Sequence, residues 1–148
     1  MSQTEEGVLD VSMKRILAVD DTAIILTRIM DALRNDYEVI TINSGIRALK
    51  YLQQEKPDLI LMDIQMPTKD GIETLSEIRA MKGREDIPVI MLTGMEDKSS
   101  VLKSAKLGIR DYILKPFTSE DLLARIRRVL EPEEENEAEK LWKEDGRR

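Results

Sequence analysis

A chain of 148 residues, 41% hydrophobic and 35% charged, holds enough material for one domain with a full core and too little for two ordinary ones. It has neither cysteine nor histidine, which excludes disulfides, thiolate and zinc-thiolate sites and an imidazole base, and leaves carboxylate, hydroxyl and amine chemistry. Of the net charge of −6, −4 falls between Glu131 and Arg148; the rest is nearly balanced and carries no basic block, so no direct nucleic-acid partner is expected.

Short apolar runs and helical periodicities alternate five times. RILAVD (15–20) is a near-continuous apolar run, as expected of a strand covered on both faces. Leu26, Ile29, Met30 and Leu33, at i, i+3, i+4 and i+7, predict an amphipathic helix after it. YEVITI (37–42) predicts a second strand, with Ala48, Leu49 and Leu52 on a second helix. DLILMD (58–63) predicts a third, followed by the turn residues Pro67 and Gly71 and by Ile72, Leu75 and Ile78 on a third helix. IPVIMLT (87–93) is the fourth; the helix behind it carries Val101, Leu102 and Ala105 and ends near Gly108, a C′ glycine. DYILK (111–115) is the fifth, and Thr118 to Asp121 offer a side-chain cap and first-turn acids for a last helix using Leu122, Leu123, Ile126 and Leu130.

This rhythm predicts an α/β fold, a flavodoxin-like doubly wound parallel sheet of five strands and five helices. The right-handed crossover rule limits the arrangements, and order 2-1-3-4-5 is the choice among them; periodicity alone leaves it open. The expected boundaries are an N-terminal extension at 1–13, the folded domain at 14–131 and an acidic C-terminal tail at 132–148. The apolar runs are far too short for a membrane span, and the start MSQTEEG is polar and acidic rather than a signal peptide, so a cytoplasmic location without membrane insertion is expected.

Polar residues end the buried-strand runs: Asp20 and Asp21 the first, Asp63 the third, Thr93 the fourth and Lys115 the fifth. In a parallel α/β sheet the carboxyl ends of the strands share one edge, which makes these side chains neighbours. Alone, Asp63 reads equally well as a turn aspartate or as a nucleophile toward phosphorus, whose product is an acyl phosphate. Asp20 and Asp21 are more than a helix cap needs, and crowded carboxylates keep their charges with a hard cation such as Mg²⁺ among them. Thr93, before Gly94, is either a strand-end threonine bonded to local backbone or a hydroxyl donor to a phosphoryl oxygen. Lys115 is either an exposed lysine or the cation that neutralises phosphate charge, and the Lys115–Pro116 bond is a candidate cis peptide.

Asp20-Asp21, Asp63, Thr93 and Lys115-Pro116, with MDIQMPTKDGIE around the third strand end and GIRDYILKPF around the fifth, closely resemble the receiver domain of bacterial two-component response regulators. The resemblance runs from about Lys14 to Leu130. It implies that Asp63 accepts a phosphoryl group from a histidine kinase or phosphotransfer protein. Mg²⁺ would be held by Asp21, Asp63 and the carbonyl of Gln65, and by Asp20 through water, while Thr93 and Lys115 bind the phosphoryl oxygens. It implies a phospho-acceptor, not an enzyme, at most capable of self-phosphorylation from small donors and of autodephosphorylation. It also implies a switch at Thr93 and Tyr112 that alters a surface of the fourth helix, fifth strand and fifth helix, through which a downstream protein or a second copy binds. Tyr112 otherwise reads as a packed or half-exposed strand tyrosine. Gln65 and Met95 stand where the family tunes access of hydrolytic water, and Ile109 stands where a small residue is common.

The tail is too short for a second domain; Leu141 and Trp142 offer a short docking helix supported by Glu139 and Lys143, against a solvated acidic tail. The chain is then a stand-alone receiver or the front piece of a longer regulator. Three other readings compete. A receiver fold that docks without phosphorylation would keep the site unused. A Mg²⁺-dependent phosphohydrolase of the haloacid-dehalogenase kind needs an acid two residues after its nucleophile, where this chain has Gln65. A flavin mononucleotide carrier needs a phosphate loop after strand one, where Asp20 and Asp21 repel phosphate.

Overall fold

The computed structural model describes residues 13–94 and 98–132. Residues 1–12 of the expected extension at 1–13, Met95 and the docking helix at Leu141 and Trp142 lie outside the described residues.

The elements run β1 (Arg15–Val19), α1 (Ala23–Leu33), β2 (Glu38–Ile42), α2 (Gly45–Gln54), β3 (Leu59–Asp63), α3 (Gly71–Arg79), β4 (Val89–Thr93), α4 (Lys98–Lys106), β5 (Asp111–Leu114) and α5 (Ser119–Leu130). All strand pairs are parallel, in the order 2-1-3-4-5. This is the expected flavodoxin-like sheet. β3 and β4 are buried along their whole length, which is why their sequences are unbroken apolar runs rather than alternating ones.

Period-two alternation divides each strand between two cores. Ile16, Ala18, Leu59, Leu61, Ile90 and Leu92 face one side, where Ile29 and Leu33 of α1 and Leu122, Ile126 and Leu130 of α5 cover them. Leu17, Val19, Ile60, Met62, Val89 and Met91 face the other, against Ala48 and Leu52 of α2 and Leu75 and Ile78 of α3. Ile109 and Tyr112 pack at the margin of this second core.

α4 departs from its expected face. Leu102 is 62% exposed and Ala105 is exposed, whereas Ser104 is the buried residue of the helix and Val101 is half-buried. A three-residue apolar signal does not fix a helix's rotation, and here the small Ser104, its hydroxyl donating to Ser100 O at 2.8 Å, permits the close approach. Helix ends follow the sequence more faithfully. Thr118 Oγ1 accepts from Asp121 N at 3.0 Å, and Gly108 has φ of +79°, the left-handed conformation that a C′ glycine supplies.

Candidate phospho-acceptor site at the carboxyl edge

Four of the five strand ends, those of β1, β3, β4 and β5, bring the site residues together above the sheet. Asp63 is the last residue of β3 and 2% exposed; Thr93 is the last of β4 and 5% exposed. Asp20 follows β1 directly and is fully buried, while Asp21 beside it is exposed. Lys115 follows β5, its backbone N–H donating to Thr93 O at 2.8 Å, and its bond to Pro116 is cis.

One carboxylate oxygen from each of Asp20, Asp21 and Asp63 lies within 4.8 Å of the others. The Lys115 ammonium is shared: it donates to Asp63 Oδ1 at 3.0 Å and sits 2.8 Å from Asp20 Oδ2. Asp20 Oδ1 accepts from the backbone N–H of Thr22 at 2.9 Å and from its hydroxyl at 2.7 Å, which ties Asp20 to the start of α1.

The electrostatics follow from one ammonium serving two carboxylates. Burial pushes the Asp63 carboxyl up to about 6; Lys115 pulls against this, and the charge of Asp20 adds to it. Burial alone would lower Lys115, but its close pairing with the Asp20 and Asp63 carboxylates carries it above its ordinary value. Normal pairing lowers the acid as it raises the base; here the acid still rises because half a cation is not enough.

Three carboxylates against one ammonium leave excess negative charge, and Asp20 Oδ2 is a buried oxygen with no aligned hydrogen bond. A set of hard oxygen donors with that deficit fits a divalent cation such as Mg²⁺. Gln65 is exposed and opens the loop beside the set.

Tyr112 is half-buried, its ring against the second core and its hydroxyl donating to Val101 O of α4. In this structure it is packed, with a polar tether to a neighbouring helix. Burial raises its pKa.

A family model for the response regulator receiver domain matches residues 16–127. The chain belongs to that family. Among curated proteins, this receiver domain is 39% identical over 118 residues to the alkaline phosphatase synthesis transcriptional regulatory protein PhoP of Bacillus subtilis, covering 79% of this chain and 48% of PhoP. The chain spans about half the length of the curated relatives it matches. Among solved structures, the Vibrio cholerae chemotaxis protein CheY4 is 31% identical with a TM-score of 0.76, over 80% of this chain and 99% of that one. The receiver domain of the sensor histidine kinase PA1611 from Pseudomonas aeruginosa PAO1 is 31% identical with a TM-score of 0.73, over 80% and 98%, and holds a magnesium ion in its active-site cleft. A transcriptional regulator among the relatives leaves the expected lack of a nucleic-acid partner without support. Among the described residues no helix is long and apolar enough to cross a membrane.

Two contributors were not singled out as site residues by the sequence. Thr22 holds Asp20, and a threonine two residues after an aspartate is a recognisable local pairing. Gly71 touches the backbone of Asp63, a contact invisible without the fold because eight residues separate them.

Proposed function

We propose that this chain is a phosphorylatable receiver in which Asp63 is the acceptor. An Asp63 oxygen attacks phosphorus of a phosphohistidine, the P–N bond breaks, imidazole leaves, and an acyl phosphate forms. Since the chain has no histidine, the donor is a histidine kinase or phosphotransfer protein outside it. The observation that carries the reading is the buried Asp63 carboxylate within reach of Lys115 and grouped with Asp20 and Asp21.

Each residue has a distinct task. Lys115 neutralises phosphoryl charge as it accumulates on Asp63, and the Thr93 hydroxyl donates to a phosphoryl oxygen from the adjacent strand end. Asp20, Asp21, Asp63 and the Gln65 carbonyl would hold Mg²⁺, which when bound supplies the positive charge that lets an anionic donor approach a carboxylate. Once phosphorylated, Thr93 and Lys115 gain contacts to the phosphoryl group, and the balance at Tyr112 shifts the α4–β5–α5 surface toward a downstream protein or a second copy. The unit with this role runs from 14 to 131, in the cytoplasm.

Intact mass after incubation with acetyl phosphate tests the reading. A Mg²⁺-dependent phosphoryl adduct is expected in the wild type and none in Asp63→Asn; an adduct retained in full by Asp63→Asn would sink the assignment. Calorimetry should show weaker Mg²⁺ binding in Asp21→Ala, and Lys115→Ala should fold normally yet lose the response to phosphorylation.

A further inference from the structure

Gly71 opens α3, and its main chain lies directly against that of Asp63. A methyl group built there would overlap the Asp63 carbonyl oxygen and sit 2.9 Å from both the Asp63 carbonyl carbon and Ile64 Cα. These are backbone atoms of a buried central strand and have no rotamer to escape into. Gly71 has no left-handed φ, unlike Gly83 and Gly108, so the position demands space rather than conformational freedom.

Both partners of this contact are held in place. On one side, Asp63 is in register with Leu92 of β4, and Ile64 N donates to Leu92 O at 2.9 Å. On the other, a capping box fixes the start of α3: Asp70 Oδ1 accepts from Glu73 N at 2.8 Å, Glu73 Oε1 accepts from Asp70 N at 2.9 Å, and the Thr74 hydroxyl donates to Asp70 O at 2.8 Å. Gly71 N donates to Ile64 O at 2.8 Å and so closes the loop that contains Gln65. The main chain of Asp63 is clamped between β4 and α3, and the missing side chain at residue 71 sets how closely the clamp shuts.

We propose that Gly71 is a positioning residue for phosphoryl uptake: by admitting α3 into contact with the Asp63 carbonyl, it fixes the acceptor carboxylate and the Gln65 loop together. The inference rests on the phospho-acceptor reading of Asp63. Displacing a reacting group by about 1 Å costs on the order of a hundredfold in rate, and any side chain at residue 71 forces a shift on that scale.

Gly83, in the turn after α3, provides an internal control. A methyl there meets nothing within 4 Å, and its φ of +84° makes Ala strained only at that turn, away from the Asp63 clamp. The experiment compares wild type, Gly71→Ala and Gly83→Ala for the rate of adduct formation with acetyl phosphate at saturating Mg²⁺, for Mg²⁺ affinity by calorimetry, and for folding by circular dichroism. The expected result is uptake slowed at least ~10-fold, with weaker Mg²⁺ binding, in folded Gly71→Ala, and uptake within about twofold of wild type in folded Gly83→Ala. Equal rates in the two variants, or an unimpaired Gly71→Ala, would overturn the proposal.

Should Gly71→Ala fail to fold, Asp70 supplies the second test. Asp70→Ala removes the cap that holds α3 against Asp63 and should slow uptake several-fold, whereas Asp70→Asn keeps a cap acceptor and should restore it. Wild-type rates in both would overturn the proposal equally. Absence of any adduct in the wild type would instead remove the phospho-acceptor reading, and this inference with it; normal wild-type uptake beside a normal Gly71→Ala removes the inference alone.

Discussion

At the amino edge of the sheet, the Arg79 guanidinium donates to four backbone carbonyls: Leu107 at 2.9 Å, Ile87 at 2.8 Å, and Glu85 and Gly108 at 3.2 Å. Nearby, Arg15 pairs with Glu38 and Glu55, Lys14 Nζ donates to Leu130 O at 2.6 Å, and the Tyr37 hydroxyl donates to Glu131 Oε2 at 2.6 Å. At the carboxyl edge of the same strands, two of three clustered carboxylates share one ammonium, Asp63 is pushed up to about 6, and Asp20 Oδ2 lacks an aligned hydrogen bond. Charge at the first edge is matched to partners and closes the fold. Charge at the second is left in negative excess, which costs stability and leaves a cation as the missing partner.

Substitutions can break this contrast from either side. The largest expected effect is at the carboxyl edge: Asp63→Asn should remove the phosphoryl adduct entirely, read by intact mass, while the protein stays folded. At the amino edge Arg79→Ala should cost about 3 kcal/mol in urea unfolding, because it orphans several carbonyls at once, and should leave phosphoryl uptake per folded molecule near wild type. Loss of uptake in a folded Arg79→Ala would mean that the two edges are not separable.

The third test is a sign. With a folded value of about 6 against an ordinary 3.8, Asp63 binds its proton more tightly in the folded state. The carboxylate therefore destabilises the metal-free fold fully above pH 6, and the penalty fades as pH falls and is gone below about 4. In chelator at pH 7, Asp63→Asn should be the more stable protein by on the order of 2–3 kcal/mol, and the gap should close toward pH 4. A constant difference across that range, in urea melts of the pair, would show that Asp63 is not strained by burial. The smallest effect belongs to Tyr37→Phe, which removes one hydrogen bond to a carboxylate at the amino edge and should cost about 1–2 kcal/mol without changing uptake.

The alternation of strands and helices, the two-sided burial of β1, and the gathering of Asp20, Asp21, Asp63, Thr93 and Lys115 at one edge were legible along the chain, whereas the strand order was a choice among arrangements that periodicity left open. Buried strands write themselves as apolar runs, and parallel topology sends every strand's last residue to one edge, so local signals and one geometric rule suffice. The face of α4 was not legible. Val101, Leu102 and Ala105 share an apolar look, but Leu102 points outward while Ser104 is buried and Val101 O accepts from the Tyr112 hydroxyl of β5, a contact between elements that the apolar pattern does not carry.

What the sequence by itself determined is therefore which residues gather: their types and their places at strand ends follow from the period of the pattern. Only the tertiary structure decided how they share their charge. Whether Lys115 serves one carboxylate or two, whether Asp20 is buried while Asp21 is exposed, and how closely Gly71 meets Asp63 all depend on distances between segments remote in the chain. Electrostatic and steric energies change steeply over such ångström-scale separations, and no local pattern encodes them.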